Sequence, residues 1–264
     1  SSRIPNYHLD TRILLCWILN IEDKYFLSDT KVSKIKQEEF LSKIKDRING
    51  KPVSRIINKR NFWNSEFYIN DFTLDPRPES EVLVCSGFEL AKILKKKELN
   101  ILELGVGSGC ILLSLLKEMP FSSGIGIDID FNTIKVAKKN AQNLNLRKRS
   151  KFLVSNWTNG FKGCFDLIFS NPPYIKTGNI KYLQKEVNKF DPIIALDGGQ
   201  DGLLCYKQIL KNIKNYMVNN SFFLLEIDPG LSDHIVSLAK SNNLKLFSTK
   251  NDLSGQKRCL IFQK

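Results

Sequence analysis

Apolar residues in the first 62 positions of this chain recur at helical spacing. Two runs carry the pattern, and each repeats its apolar residues three or four positions apart. They are Ile13, Leu14, Trp17 and Ile18, followed by Phe40, Leu41, Ile44 and Ile48. Asn49-Gly50-Lys51-Pro52 then combines residues that end helices. Residues 1–62 are therefore predicted to form a small helical domain, which either recognises a substrate or packs as a lid.

Between residues 62 and 74 the pattern becomes strand-like. The apolar groups are Phe62-Trp63, Phe67-Tyr68-Ile69 and Phe72-Thr73-Leu74. Asn70-Asp71 separates the last two and favours a turn, so the pattern predicts a short hairpin. Together with the proline-rich stretch that follows, the hairpin is expected to form a junction over residues 63–79. Pro78 is expected to start a helix.

From residue 80 onward, strand-like and helical patterns alternate, as in a parallel sheet with helical connections. Seven apolar runs of strand length lie at 100–104, 124–128, 151–154, 165–170, 221–227, 244–250 and 257–263. The last two are joined by Asp252-Leu253-Ser254-Gly255, which predicts an antiparallel hairpin. Residues 80–264 are therefore predicted to form an α/β domain of Rossmann-like type. Its seven-stranded sheet is expected to be mostly parallel, with an antiparallel last strand.

A glycine-rich loop follows the first of these strands. It consists of Gly105, Val106, Gly107, Ser108 and Gly109, and an apolar helical run comes after it. Strand, glycine loop and helix in this order open a nucleotide-binding unit, and the acid that ends the next strand, Asp128, is placed to bind ribose hydroxyls. The GxGxG spacing lacks the pyrophosphate fingerprint, and the chain has no GxxxxGK[ST] motif. A nucleoside ligand without a pyrophosphate fits this pattern best.

Asn171-Pro172-Pro173-Tyr174, called the platform below, directly follows the apolar run 165–170. The two prolines end the strand, and Pro172 restrains Asn171 to an extended conformation. The Asn171 side-chain oxygen and the Pro172 carbonyl can accept the two N–H bonds of a planar amino group, and Tyr174 can lie against its plane. A turn that merely closes the strand is the alternative interpretation of the tetrapeptide.

Three more stretches are candidates for a role in binding. Asn156 and Trp157 follow the run 151–154, where Trp157 either flanks a purine or packs in the core. Arg77 lies between two prolines and either belongs to a capping linker or orients a ligand. The long polar connection over 175–202 is typical of a functional loop.

Composition narrows the possible chemistry. Six cysteines and two histidines are scattered without CxxC spacing, so neither a zinc site nor a His-based triad is predicted. The net charge of +13 has two explanations, a compositionally biased genome or affinity for an acidic surface such as the ribosome. No apolar run approaches the ~20 residues of a membrane span, and no signal peptide is recognised, so a cytoplasmic location is expected.

Several of these motifs together resemble a known family. Residues 103–109 resemble the first motif of class I S-adenosylmethionine-dependent methyltransferases, and the platform resembles the signature of those that methylate planar nitrogens. Pro76-Arg77-Pro78-Glu79-Ser80-Glu81 precedes the first motif, and Ala195-Leu196-Asp197-Gly198-Gly199-Gln200-Asp201-Gly202-Leu203 follows the platform. With the N-terminal helical region, these stretches resemble the release factor glutamine methyltransferase family (PrmC/HemK) over nearly the whole chain.

The resemblance implies a reaction and a set of site residues. The family methylates N5 of the glutamine in the Gly-Gly-Gln motif of class 1 peptide chain release factors, which modulates translation termination. S-adenosylmethionine is the donor and S-adenosylhomocysteine the product. The cofactor is expected to bind at Glu103, Gly105, Val106, Gly107, Ser108, Gly109, Asp128, Asn156, Trp157 and Asn171. The substrate glutamine is expected at Asn171, Pro172, Pro173, Tyr174 and Arg77, with Asn171, Pro172 and Tyr174 catalytic and no metal involved.

Two positions depart from the family pattern. Asn156 stands where the family usually has Asp, and an amide binds an adenine amino group more weakly than a carboxylate does. Asp75 stands where an apolar residue is usual. Gly198-Gly199-Gln200 repeats the substrate motif, and we interpret it as a tight loop.

Two other functions remain open from the residues. The same platform occurs in adenine-N6 methyltransferases that act on DNA or RNA, which flip a base out of the helix, and a charge of +13 suits them. The helical region is small for a nucleic-acid recognition domain. A cofactor-binding scaffold without catalysis, associated with the ribosome, is the third possibility.

Overall fold

The computed structural model describes residues 6–21 and 32–264. The predicted N-terminal helical domain is therefore described in part, and residues 1–5 and 22–31 lie outside the described residues. Its helices are α1 (Tyr7–Leu19), α2 (Lys34–Ile48) and α3 (Val53–Ile57). The Ser33 hydroxyl caps α2, accepting a hydrogen bond from the Lys36 N–H at 3.4 Å. The predicted stop signal is confirmed, because α2 ends at Ile48.

The hairpin lies earlier in the chain than predicted. Its strands are β1 (Lys59–Phe62) and β2 (Ser65–Tyr68), which pair antiparallel. The reversal falls at Trp63, whose backbone is left-handed with φ of 51°. Aromatic residues on both strands bury one face of this hairpin against the main core, and that burial sets the pairing. The expected turn at Asn70-Asp71 instead lies near the start of residues 69–77, called the linker below, which connect β2 to the turn before α4.

Seven strands form the main sheet, in the order β5-β4-β3-β6-β7-β9-β8. They are β3 (Asn100–Leu104), β4 (Ser123–Asp128), β5 (Ser150–Val154), β6 (Phe165–Ser170), β7 (Met217–Glu226), β8 (Lys245–Asn251) and β9 (Lys257–Gln263). β9 is antiparallel to both of its neighbours, and the other pairings are parallel. The predicted sheet and its antiparallel last strand are confirmed.

Helices cover both faces of the sheet, as parallel strands require. They are α4 (Glu81–Leu94), α5 (Cys110–Glu118), α6 (Phe131–Asn143), α8 (Leu204–Asn212) and α9 (Ser232–Ser241). Neighbouring strand residues alternate between two apolar layers: Ile101 packs in the layer with α4, α5 and α6, and Leu102 in the layer with α8 and α9. The cysteines are not all buried, because Cys85 and Cys164 are exposed.

The connection between β6 and β7 contains its own short helices. Residues 175–202, called the bridging segment below, include α7 (Lys185–Phe190). Two 3₁₀ turns, Thr177–Tyr182 and Ile193–Ala195, flank α7. This segment runs over the carboxyl edge of the sheet.

The chain reverses its direction of winding between β3 and β6. β4 and β5 follow on one side of β3, and β6 and β7 on the other. Ligands of open α/β sheets bind at such a switch point, outside the carboxyl ends of the strands. The fold therefore places the glycine loop and the platform side by side.

Candidate active site

A cavity of about 540 Å³ opens at the switch point. Residues that follow four neighbouring strands line it, together with residues of the linker and of the bridging segment. Ligand sites of small molecules have volumes of about 300–1,000 Å³. The ends of four neighbouring strands therefore converge on one site.

The glycine loop adopts a backbone that other residues rarely take. Gly105, Gly107 and Gly109 have φ of 71°, 54° and 81°. A Cβ at Gly107 would have no neighbour within 4 Å, so the loop presents bare backbone there. A Cβ at Gly105 would lie 3.6 Å from Cζ3 of Trp157 and 3.9 Å from the Asn171 carbonyl oxygen. The loop can therefore approach a ligand closely, between the tryptophan and the platform.

Two carboxyl groups lie under this loop. Asp128 Oδ2 accepts the Gly107 N–H at 3.0 Å, and Oδ1 accepts the Asp130 N–H at 3.2 Å. Glu103 Oε2 accepts the Leu112 N–H at 2.9 Å, and Glu103 is only 2% exposed. Burial raises the pKa of Asp128, and burial together with the nearby Asp128 raises the pKa of Glu103 well above its ordinary value.

Trp157 forms the wall beyond β5. Its backbone is left-handed with φ of 51°, which is rare for a bulky side chain and is found where surrounding structure enforces it. The indole Nε1–H donates to Gln208 Oε1 at 2.7 Å, which fixes the ring on α8. Asn156 also lines the cavity, and its side chain is exposed. Trp157 is therefore held at the cavity by a polar contact, with its ring partly buried in the core of the α8 face.

Asn171 lines the cavity at the end of β6. Its Nδ2–H donates to the Ser80 hydroxyl at 3.0 Å, so the amide is held by the turn that precedes α4. Because Nδ2 is engaged, Oδ1 remains as the acceptor that Asn171 offers to the cavity. The carboxyl group of Glu226 lies close to Ser80 and Asn171.

The other platform residues differ in position. Pro173 lines the cavity, whereas Pro172 is buried and its carbonyl oxygen accepts no hydrogen bond from the described residues. Tyr174 packs against the core on the α8 side and does not contribute to the cavity wall. Burial and the neighbouring Glu226 raise the pKa of Tyr174 to about 12. The structure thus brings Asn171 and Pro173 to the cavity, whereas Tyr174 packs against the core.

Arg77 lines the cavity, but its charge is paired with a carboxylate of the bridging segment. Its Nη2 contacts Asp191 Oδ2 of the bridging segment at 2.5 Å, and the buried Arg55 contacts Oδ1 of the same carboxylate at 2.6 Å. Asp75, one of the two departures from the family pattern, is buried beside them and accepts the Ser54 hydroxyl at 2.5 Å. These groups hold the linker, α3 and the bridging segment together around the mouth of the cavity.

The bridging segment returns to the platform through its glycine-rich end. The Ile175 N–H donates to the Leu196 carbonyl at 3.0 Å, and the Gly198 N–H donates to the Ile175 carbonyl at 2.8 Å. A Cβ at Gly198 would lie 2.7 Å from Cα of Tyr174, and one at Gly202 would lie 2.6 Å from the Tyr174 carbonyl oxygen. The interpretation of Gly198-Gly199-Gln200 as a tight loop is confirmed, because Gly199 has φ of 84° and its carbonyl accepts the Gly202 N–H at 3.3 Å, while Gly198 packs on the platform backbone.

Four residues of the site were not singled out from the sequence: Ser80, Gln208, Glu226 and Asp191. Glu226 carried a usable signal, since a single acid at the end of a long apolar strand is unusual. Gln208 lies on the exposed face of α8, where polar residues are common, and Ser80 is a small polar residue that the fold buries at 3% exposure. Their contacts with Asn171 and Trp157 become visible only once the fold is known.

The described residues contain no group of three or more histidine, cysteine, aspartate or glutamate side chains arranged to hold a metal ion. Across residues 6–21 and 32–264, no helix has both the length and the apolar character needed to cross a membrane.

The sheet order, the glycine loop and the acid at the end of β4 define a class I methyltransferase fold. A ribosomal protein L11 methylase from Lactobacillus delbrueckii subsp. bulgaricus is similar in structure, with a TM-score of 0.52 at 16% identity, over 78% of this chain and 88% of that one. At this identity, the likeness shows the fold alone.

Comparison of sequences identifies the family. Residues 1–57 match the PrmC N-terminal domain, and residues 84–189 match the Methyltransferase small domain. A release factor glutamine methyltransferase of Rhodospirillum rubrum is 38% identical, over 96% of this chain and 77% of that protein. One of Agrobacterium fabrum is 35% identical, over 97% of this chain and 90% of that protein. The chain belongs to the release factor glutamine methyltransferase family, whose methyl donor is S-adenosylmethionine, and the family resemblance seen in the motifs is confirmed.

Proposed function

We propose that this chain transfers a methyl group from S-adenosylmethionine to N5 of the glutamine in the Gly-Gly-Gln motif of class 1 peptide chain release factors. The observation that carries the proposal is the Asn171 amide, whose Nδ2–H is held by Ser80 at 3.0 Å while its oxygen remains for a ligand in the cavity. Relatives aligned over nearly the whole of this chain are named release factor glutamine methyltransferases.

The cavity suits S-adenosylmethionine in charge and in shape. Glu103, Asp128 and Asp197 line it, and Arg77, the arginine among its described lining residues, is paired with Asp191. An acidic cavity in a chain of net charge +13 favours a cationic ligand. The space in front of Gly107 lets a nucleoside approach the loop backbone.

Each part of the cofactor has candidate residues. Asp128 would accept hydrogen bonds from the ribose hydroxyls, although Gly107 and Asp130 already use one lone pair on each of its oxygens. Glu103 and residues 105–109 would line the methionine portion, and Asn156 and Trp157 would border the adenine. When bound, S-adenosylmethionine supplies a methyl group already activated by a sulfonium sulfur.

The chain's own task is to prepare the glutamine nitrogen. An amide nitrogen is a poor nucleophile because its lone pair is shared with the carbonyl group. Asn171 Oδ1 and the Pro172 carbonyl would accept the two amide hydrogens, which orients the nitrogen and raises its electron density. Positioning and fixed dipoles of this kind supply most of the rate in such a site. The proton that leaves the nitrogen goes to solvent, so the proposal needs no dedicated base.

The proposed role of Tyr174 is limited to supporting the platform, since its ring packs on the core. Arg77 is assigned to the mouth of the cavity through its contact with Asp191. The reaction requires access to release factors in the cytoplasm, and the net charge of +13 is compatible with work close to the ribosome.

Labelled S-adenosylmethionine tests the substrate class. The protein is incubated in parallel with a bacterial-type class 1 release factor, with double-stranded DNA and with ribosomal RNA. Label on the release factor alone is the expected result. Label on an adenine of either nucleic acid, with none on the release factor, would favour the adenine-N6 activity and contradict the proposal.

A further inference from the structure

Glu226 is a buried acid that the proposed chemistry does not use. It ends β7 and is 2% exposed, and its Oε2 has no hydrogen-bond partner among the described residues. The register between β6 and β7 pairs Ser170 with Leu225, so the next residues of the two strands are Asn171 and Glu226. A buried carboxyl group without full hydrogen bonding is costly, and such groups are kept where they have a function.

Ser80 lies between the platform amide and this acid. Asn171 Nδ2–H donates to the Ser80 hydroxyl at 3.0 Å. The Ser80 hydroxyl and the Asn171 amide are both polar neighbours of the Glu226 carboxyl group. The Glu226 backbone is fixed as well, because its carbonyl oxygen accepts the Tyr206 hydroxyl at 3.1 Å.

We propose that Glu226 is a positioning residue that sets the orientation of the Asn171 amide through Ser80. An ionised carboxylate can only accept hydrogen bonds. Ser80 must therefore give its hydroxyl hydrogen to Glu226, and its oxygen then accepts from Asn171 Nδ2. With Nδ2 engaged in this way, Oδ1 is the atom that faces the cavity, where the proposed glutamine substrate needs an acceptor.

Protonation of Glu226 removes the constraint on the orientation of the Asn171 amide. A carboxylic acid can donate to Ser80, whose hydroxyl hydrogen can then point to Asn171 Oδ1. The amide is then free to turn by 180° about its last bond and present Nδ2 to the cavity. A donor in that place cannot bind an N–H of the substrate amide, so only the ionised form of Glu226 supports the proposed chemistry.

The groups around Glu226 place the titration of its carboxyl group close to neutral pH. Burial raises the pKa of Glu226 to about 7, opposed by the neighbouring polar groups of Ser80 and Asn171 and by the charge of Arg258. Asp252 holds that arginine by contacts at 3.1 and 3.0 Å. The titratable groups that face the carboxyl group are Glu79 before α4, Cys110 on α5, Tyr174 of the platform, Tyr206 on α8, and Arg258 and Cys259 on β9.

A first experiment follows the Asn171 side-chain amide directly, without a substrate. Its ¹⁵N–¹H resonances, assigned by their loss in Asn171→Asp, are recorded between about pH 5.5 and 8.5. They are expected to shift with a midpoint near the Glu226 pKa in the wild type. The exposed acid Glu98, near the opposite edge of the sheet, provides the control Glu98→Gln, which keeps the shift. Glu226→Gln is expected to abolish it, and a pH-independent Asn171 resonance in the wild type would overturn the proposal.

A second experiment measures turnover with a release factor, and this part rests on the proposed function. Wild type and Glu98→Gln are expected to lose roughly tenfold in kcat from pH 8 to pH 6, as one ionisation near 7 requires. Glu226→Gln is expected to be at least about tenfold slower at pH 8 with a flat profile, while its affinity for S-adenosylhomocysteine stays within about twofold. Glu226→Asp, which remains an acceptor, should regain part of the rate and the pH dependence.

The two experiments distinguish a failure of the proposed function from a failure of the positioning role of Glu226. If no release factor is methylated but the Asn171 resonance titrates with Glu226, the proposed function fails and the positioning role stands. If the release factor is methylated and Glu226→Gln keeps the kcat and the pH profile of the wild type, the positioning role fails and the proposed function stands.

Discussion

At the scale of single residues, Asn171 has the most direct task in this account. Its side-chain amide lies at the cavity, and the only hydrogen bond described for that amide is the one it donates to the Ser80 hydroxyl. We expect Asn171→Ala to lower kcat by roughly 10²–10³-fold or more, as loss of one preorganised polar group does. Binding of S-adenosylmethionine, measured by calorimetry, should stay nearly unchanged. Asn143→Ala, at the exposed end of α6, is the control, and a mild loss of turnover in Asn171→Ala would contradict the role.

Asp128 is expected to act on affinity instead of turnover. It closes the glycine loop through Gly107 and faces the cavity, where the ribose of the cofactor is proposed to bind. Asp128→Ala should therefore weaken cofactor binding by one to two orders of magnitude, or about 1.4–2.7 kcal/mol. Calorimetric titration with S-adenosylhomocysteine measures the change. An unchanged dissociation constant would remove Asp128 from the proposed binding site.

Glu226 has a second consequence, for the free energy of unfolding. Its folded pKa of about 7 exceeds the ordinary 4.5, so between these values the unfolded chain binds fewer protons than the folded one. Stability contributed by this group therefore falls as pH rises from about 4.5 to 7 and stays low above 7. Glu226→Gln is expected to be more stable than wild type at pH 8 by up to roughly 3 kcal/mol, at 1.36 kcal/mol for each pKa unit.

Urea denaturation of both proteins at pH 8 and near pH 4.5 measures this difference. The gain should shrink towards the lower pH, where the acid is protonated in the folded state and about half protonated in the unfolded state. A variant that is less stable than wild type at pH 8 would show that Glu226 is stabilising in its charged form, against this prediction.

At the scale of elements, the bridging segment is fastened to the N-terminal helices at two points. Arg47 of α2 contacts Glu186 of α7 at 2.6 Å, and Arg55 of α3 contacts Asp191 at the end of α7 at 2.6 Å. Arg55 and Asp191 are both buried, whereas Glu186 is partly exposed. The second contact is therefore expected to control where the segment, and with it the cavity wall at Ile193–Ala195, comes to lie.

Asp191→Ala tests this attachment. It leaves the fully buried Arg55 without its carboxylate, and breaking a buried ion pair costs about 3–5 kcal/mol. The exposed pair of Glu89 and Lys250 offers a matched control, since Glu89→Ala should change stability by less than about 1 kcal/mol. Urea denaturation of the two variants measures the difference. Equal losses would contradict a special role for Asp191.

Elements formed by neighbouring residues could be predicted from the sequence, and contacts between distant ones could not. β3, the glycine loop and α5 follow one another, so their order alone indicated a cofactor site. The hairpin was misplaced because its turn at Trp63 has no glycine or proline and depends on burial of Phe62 and Phe67. Ser80 and Asn171 are 91 positions apart, and no local pattern shows that they meet.

At the scale of the whole molecule, the chain is positively charged and its cavity is lined by acids. The chain carries a net charge of +13, yet three acids line the cavity and its arginine is neutralised by Asp191. The basic surface suits contact with acidic partners, and the acidic cavity suits a sulfonium ligand. Both features agree with a methyltransferase that meets its protein substrate near the ribosome, as proposed above.

The measurement that tests the central proposal most directly is the position of the transferred methyl group. A release factor and a copy in which the Gly-Gly-Gln glutamine is replaced by alanine are incubated with the protein and S-adenosylmethionine, and their peptides are analysed by mass spectrometry. One added methyl group is expected on the side chain of that glutamine and none on the copy. Methylation of both proteins, or of neither, would contradict the proposed substrate site.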